Sequence, residues 1–133
     1  MMKITEILQV LSDSTRLRIL RLLGQEELSV AELQEVLEMG QSRISSHLSL
    51  LRRNEMVQDR KDGKKTFYVL DLDDSPKFDL VRMALQEDGD DEFWASDQSA
   101  LFRIVESRRR ESEKYFDEVA ERFGKNYVPG RSW

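Results

Sequence analysis

Apolar residues recur along the first part of the chain at helical spacing, in short runs separated by small polar residues or glycine. In "KITEILQVL", residues 3–11, Ile4, Ile7, Leu8 and Leu11 share one stripe and predict a short amphipathic helix. "SDS" breaks that run, and Asp13 stands where it caps a second helix, "STRLRILRLL". There Leu17, Ile19, Leu20 and Leu23 point inward, Arg16, Arg18 and Arg21 point out, and Gly24 closes the helix as its C′ residue. A third helix opens at Ser29, whose hydroxyl forms a capping box with Glu32, three residues on. Val30, Leu33, Val36 and Leu37 make its buried face. Gly40 interrupts the period, and "QSRISSHLSLLRR", residues 41–53, supplies a fourth helix whose apolar stripe is only Ile44, Leu48 and Leu51.

After residue 56 the period changes. "VQDR" and "TFYVLDL" are rich in β-branched and aromatic residues and flank "KDGKK", whose Asp-Gly is a hairpin signal. A two-stranded hairpin, Val57–Arg60 with Thr66–Leu72, follows, its tip basic. Pro76 suits the first turn of a further helix. Residues 87–95 read as an acidic linker. One long helix runs from Ser96 or Asp97 to about Phe123, its apolar members Leu101, Ile104, Val105, Tyr115, Phe116, Val119 and Phe123 interrupted by the exposed stretch "ESRRRESEK". The tail "GKNYVPGRSW" reads as irregular. The expected fold is mainly α with a small β-hairpin: a winged helix-turn-helix over residues 1–86, the linker, and a C-terminal helix and tail over 96–133 that dimerises or connects.

Composition narrows the chemistry. No apolar run among the 133 residues approaches the roughly 20 that a bilayer span needs. The N-terminus lacks a signal-peptide pattern, so no membrane partner and a cytoplasmic location are expected. Cysteine is absent, which removes disulfides and thiolate metal sites, and the single histidine, His47, cannot anchor a metal cluster. Carboxylates are scattered over helical faces, and Ser46 and His47 are neighbours whose side chains diverge on a helix. The chain is expected to be no enzyme and to need no cofactor.

Charge is distributed unevenly. The net charge is −5, yet residues 41–70 carry seven basic and three acidic side chains, a local excess of +4, while 71–98 carry two basic and ten acidic. A polyanion responds to the local field rather than to the sum. The positive block coincides with the fourth helix, where four serines are poor choices for stability alone because their hydroxyls compete for backbone groups. A helix fits the major groove of duplex DNA, and short polar side chains on its outer face reach base edges there. Arg43 suits guanine, Gln41 adenine, and Ser42, Ser45, Ser46 and Ser49 either; Arg52 belongs to the same block. Arg60, Lys61, Lys64 and Lys65 of the wing, and Arg16 near a helix N-terminus, would grip phosphates. The "RRR" at 108–110 reads as a solvated face, balanced by Glu106, Glu111 and Glu113.

With these residues in order, "LSDSTRLRILRLLGQEELSVAELQEVLEMGQSRISSHLSLLRRNEMVQDRKDGKKTFYVL" resembles the DNA-binding domain of the ArsR-type bacterial winged-helix repressors. The resemblance implies double-stranded DNA as partner, a homodimer whose outer helices pair, an imperfect palindromic operator, and repression relieved by a small-molecule effector. It also implies that His47 packs against or touches the DNA backbone. Metal-sensing members carry a Cys-x-Cys-type site in the third helix, where this chain reads "VAELQEVLE", or His and acidic residues in the last helix, which here holds no histidine. Sensing through those sites is therefore not expected. A second resemblance links "SRRRESEKYFDEVAERFGKNYVPGRSW" to the connector of proteins that join such a domain to an S-adenosylmethionine-dependent methyltransferase. The alternative it implies is that the chain is the N-terminal regulatory arm of such an enzyme.

Overall fold

A computed structural model describes residues 3–86 and 92–124. The expected tail and most of the acidic linker lie outside these residues. The chain divides into two compact units, Met1–Leu101 and Phe102–Trp133. The first contains α1 (Ile4–Leu11), α2 (Ser14–Leu23), β1 (Leu28–Ser29), α3 (Val30–Leu37), α4 (Gln41–Arg53), β2 (Val57–Asp62), β3 (Lys65–Leu70) and α5 (Asp79–Gln86), the last preceded by a 3-10 turn at Pro76–Phe78. A final helix, α6 (Trp94–Gly124), starts in the first unit and makes up the described part of the second. Trp94 and Ala95, read as linker in the sequence, are already helical.

The caps of α2 and α3 form where their sequence signals placed them, whereas Pro76 opens a 3-10 turn and α5 begins only at Asp79. Asp13 accepts hydrogen bonds from the N–H groups of Thr15 (2.8 Å) and Arg16 (3.1 Å), satisfying two donors that the first turn of α2 leaves open. Ser29 and Glu32 close a reciprocal capping box on α3, with Glu32 N–H donating to the Ser29 hydroxyl at 3.2 Å and Ser29 N–H to the Glu32 carboxylate at 2.8 Å. Gly24 ends α2 without using the left-handed region, its φ being −75°. Its value is proximity instead: a Cβ there would stand 3.2 Å from the Leu70 side chain.

The sheet has three strands in the order β1-β3-β2, all antiparallel, so the expected hairpin gains a short third strand where Leu28 and Ser29 pair with Tyr68 and Phe67. The hairpin ladder is also longer at its tip than expected, reaching Asp62 opposite Lys65, and shorter at its base, ending at Leu70. Only Gly63 and Lys64 remain in the loop, and Gly63 takes φ +64°, at the first loop position where a II′ turn wants glycine.

The core is one apolar cluster joining α2, α3, α4, the base of the wing and the turn before α5. Ile19, Leu20, Leu33, Ile44, Leu51, Met56 and Phe78 are completely buried. Full burial of a side chain of this size stabilises by roughly 1.5–3 kcal/mol. In α1 the buried pair is Ile7 and Val10, while Ile4 and Leu8 of the expected stripe are about half exposed. Arg18 departs from expectation more sharply. It is buried and points inward, not out, to meet Asp97 of α6.

Candidate nucleic-acid interface

Helix α4 is fixed by its apolar stripe. Ile44, Leu48 and Leu51 are sealed into the core, so the opposite row, Gln41, Ser42, Arg43, Ser46, Ser49 and Arg52, is exposed. Ser45 and His47 are half-buried at the margin. Four side chains here are serines, whose short hydroxyls would be wasted as mere surface but can approach a base edge or a phosphate closely. The row that the sequence singled out is therefore presented together on one helix.

The wing stands beside it. Lys61, Lys64 and Lys65 are exposed at the hairpin end, and a cleft of about 350 Å3 runs between the starts of α3 and α4 and this tip, lined by Ser29, Gln34, Gln41, Lys64, Lys65 and Thr66 among others. The first residue of the helix and the two wing lysines thus share one concavity. Arg52, in the last turn of α4, reaches Asp59 of β2 at 3.2 Å and links the outer end of the helix to the wing.

Two of the predicted cations have other employment. Arg16 donates from Nε to the Val10 carbonyl (2.9 Å) and from Nη2 to the Gln9 carbonyl (3.0 Å), so its guanidinium closes the C-terminus of α1. It satisfies carbonyls that a helix end leaves open and places positive charge at the negative end of the helix dipole. Arg60 is bonded to Glu27, just ahead of β1, and lies 5.1 Å over the Phe67 ring. The Glu27 carboxylate beside it holds the guanidinium's pKa above its ordinary value. Both arginines order the scaffold around the interface before they touch anything else. Neither carbonyl capping nor a cross-sheet partner 33 residues away has a local sequence signal.

His47 sits between charges of both signs. Partial burial pulls its pKa below the ordinary 6.5; the Asp13 carboxylate works against this, and the positive charges of Arg16 and Arg43 add to it. Asp13 is itself held below its ordinary 3.8: burial raises it, but the Arg16 N–H bond, the Arg16 charge, His47 and the Thr15 N–H together outweigh burial. The cap of α2 and the histidine of α4 are therefore one electrostatic unit. Residues that the sequence reading did not single out, Gln9, Arg53 and Asn54, line a second cleft of about 430 Å3 with Arg16, at the far end of α4. Among the described residues no group of three or more His, Asp or Glu side chains is arranged to hold a metal ion. Among them, too, no helix is long and apolar enough to cross a membrane.

Helix, helix, strand, helix, helix and a two-stranded wing define a winged helix-turn-helix, a fold of transcription regulators. Residues 13–59 match the profile of the family described as bacterial regulatory protein, arsR family. The chain is 34% identical over 108 residues to the arsenical resistance operon repressor of Escherichia coli (strain K12), covering 80% of this chain and 86% of that protein. The chain belongs to the arsR family. It is also 43% identical over 68 residues to the transcriptional activator HlyU of Vibrio cholerae serotype O1, a match that spans 51% of this chain and 63% of HlyU's own length. The structure of reduced HlyU from V. cholerae N16961 superposes with a TM-score of 0.53 at 35% identity over 62% of this chain and 80% of that one. The homodimeric winged helix-turn-helix DNA-binding domain (fragment 1–100) of Mb0332 from Mycobacterium bovis superposes with a TM-score of 0.53 at 26% identity, covering 65% and 81%. The methyltransferase-connector reading finds no support in these relatives.

Proposed function

We propose that the chain is a sequence-specific DNA-binding repressor that acts as a homodimer on a palindromic operator. The observation that carries this reading is the division of α4: three aliphatic side chains hold it in the core, and its polar row faces outward beside a lysine-tipped wing. In this reading Gln41, Ser42, Arg43, Ser46 and Ser49 enter the major groove and sort bases, with Ser45 and His47 at its rim. Lys61, Lys64 and Lys65 lie on phosphates, with Arg52 beside them, and Arg16 and Arg60 hold α1 and β1 in place and add to the positive field. Repression rather than activation is favoured because a relative that matches over 80% of this chain is named a repressor, whereas the activator matches over 51%. The homodimer is supported by the Mb0332 domain, by the exposed Ile4 and Leu8 of α1, and by the aromatic side chains exposed on α6. An effector would act without thiolates, since the chain has no cysteine.

The test is selection of bound duplexes from random sequence at two salt concentrations, with the stoichiometry of the complex measured by sedimentation. An inverted repeat with half-sites about one helical turn apart, bound by two chains, is the expected result. Recovery of no preferred sequence at low salt would sink the proposal.

A further inference from the structure

Within the second unit, the exposed face of α6 carries a seven-residue repeat. Phe102, Arg109, Phe116 and Phe123 are spaced by seven, and Val105, Ser112 and Val119 follow three residues after the first three of them. These are the a and d positions of a coiled coil. Phe102, Phe116 and Phe123 are 66%, 66% and 62% exposed, a large apolar outlay for a helix with no partner. Four of the six flanking positions are charged. The e positions hold Glu106, Glu113 and Ala120; the g positions hold Arg108, Tyr115 and Arg122.

We infer that Phe102–Phe123 pairs with the same segment of a second copy as a parallel, in-register, two-stranded coiled coil. The charges choose both occupant and direction. In a parallel pair each g residue faces the partner's e residue five positions on, which sets Arg108 against the partner's Glu113, and by symmetry the reverse. An antiparallel pair would set e against e and g against g, opposing carboxylate to carboxylate and guanidinium to guanidinium. The middle layer is polar, Arg109 at a and Ser112 at d, and a polar a residue fixes register and favours two strands over more. Arg109 is bonded within its own helix to Glu106 at 2.9 Å and Glu113 at 2.6 Å, so its aliphatic stem enters the interface and Glu113 is shared between Arg109 and the Arg108 of the second copy.

Three heptads are few, so the pairing draws on the proximity that a homodimer of the whole chain provides, and to that extent it rests on the proposed homodimer. The absence of cysteine makes it directly readable in the full chain. Val105→Cys and Val119→Cys, each the sole thiol at a d position, are expected to form covalent dimers on mild oxidation, while Ser107→Cys on the outer face is not. Adding Arg108→Glu to Val119→Cys should lower the yield severalfold, and adding Glu113→Arg as well should restore it. If sedimentation shows a dimer that selects its operator, yet neither d-position variant links to itself, or Ser107→Cys links as readily, this pairing is wrong and the homodimer stands. Linking only between a mixture of the Val105 and Val119 variants overturns the parallel direction. A monomer at micromolar concentration removes both readings.

Discussion

Arg18 of α2 and Asp97 of α6 form a buried, bidentate ion pair, with Nε donating to Oδ2 at 2.9 Å and Nη2 to Oδ1 at 2.8 Å. Both side chains are more than nine-tenths buried, and the guanidinium carbon lies 4.0 Å over the ring of Phe93, just ahead of α6. Fork-to-fork geometry satisfies both carboxylate oxygens. Asp97 also stands in the first turn of α6, where the helix dipole favours negative charge. The pair fastens the start of the last helix to the second one, and α2 in turn is part of the core that positions α4.

Breaking this pair on one side should therefore cost more than removing it whole. Asp97→Ala leaves a buried guanidinium without its carboxylate, and a loss of about 3–5 kcal/mol in urea unfolding is expected. Arg18→Met with Asp97→Leu keeps volume and removes both charges, and should lie close to the parent. Equal losses in the single and double variants would show that packing, not charge, holds the joint.

The contrast between this joint and the rest of the fold shows what a sequence carries. Asp13, the Ser29–Glu32 box and the Gly63-Lys64 turn that Asp62-Gly63 signals are local: each signal and its consequence lie within four residues, and each element formed there. The outer row of α4 was legible because its inner row is aliphatic at i, i+4 and i+7. Arg18 was misplaced because its partner is 79 positions away, and helical periodicity records polarity, not pairing. Arg16 and Arg60 read as loose cations for the same reason, their acceptors being a neighbouring helix end and a residue across the sheet. The strand Leu28–Ser29 is too short to show an alternation, and the period of α1 does not mark Val10, since Ile4, Leu8 and Leu11 fit the same stripe, whereas the core needs Ile7 and Val10.

The two parts of the interface should fail in different ways. Arg43→Ala is expected to cost about 1–3 kcal/mol on the preferred duplex and to relax preference at one base position. Lys64→Ala with Lys65→Ala should weaken all duplexes alike and flatten the dependence of affinity on salt, since fewer counterions are released. Binding titrations on preferred and scrambled duplexes at several salt concentrations separate the two. An Arg43 variant that keeps its full preference would remove α4 from base recognition.

His47 gives stability a dependence on pH with a defined sign. Its pKa in the folded chain lies below the ordinary 6.5, so between the two values the unfolded chain binds more protons and stability rises with pH. The contribution is fully present above 6.5 and is lost as pH falls through the folded value. Urea midpoints measured from roughly pH 8 to pH 5 should fall, and His47→Gln should flatten that part of the curve. Asp13 acts in the same direction only below its ordinary 3.8, outside this window. A slope unchanged in His47→Gln would assign the dependence to other groups.

Two helices end on glutamates in the left-handed region, Glu38 after α3 with φ +54° and Glu55 after α4 with φ +59°. That conformation costs a residue with a side chain about 1–2 kcal/mol, of which glycine's greater freedom when unfolded takes back about 0.5–1. Glu38→Gly should therefore stabilise the chain by about 0.5–1 kcal/mol. Glu55→Gly should gain less, because Glu55 also meets Lys77 at 3.1 Å in an exposed pair of small value. Alanine at either position keeps the strain and should show no such gain. If glycine at position 38 lowers the thermal midpoint instead, the end of α3 is held by its glutamate side chain rather than strained by it.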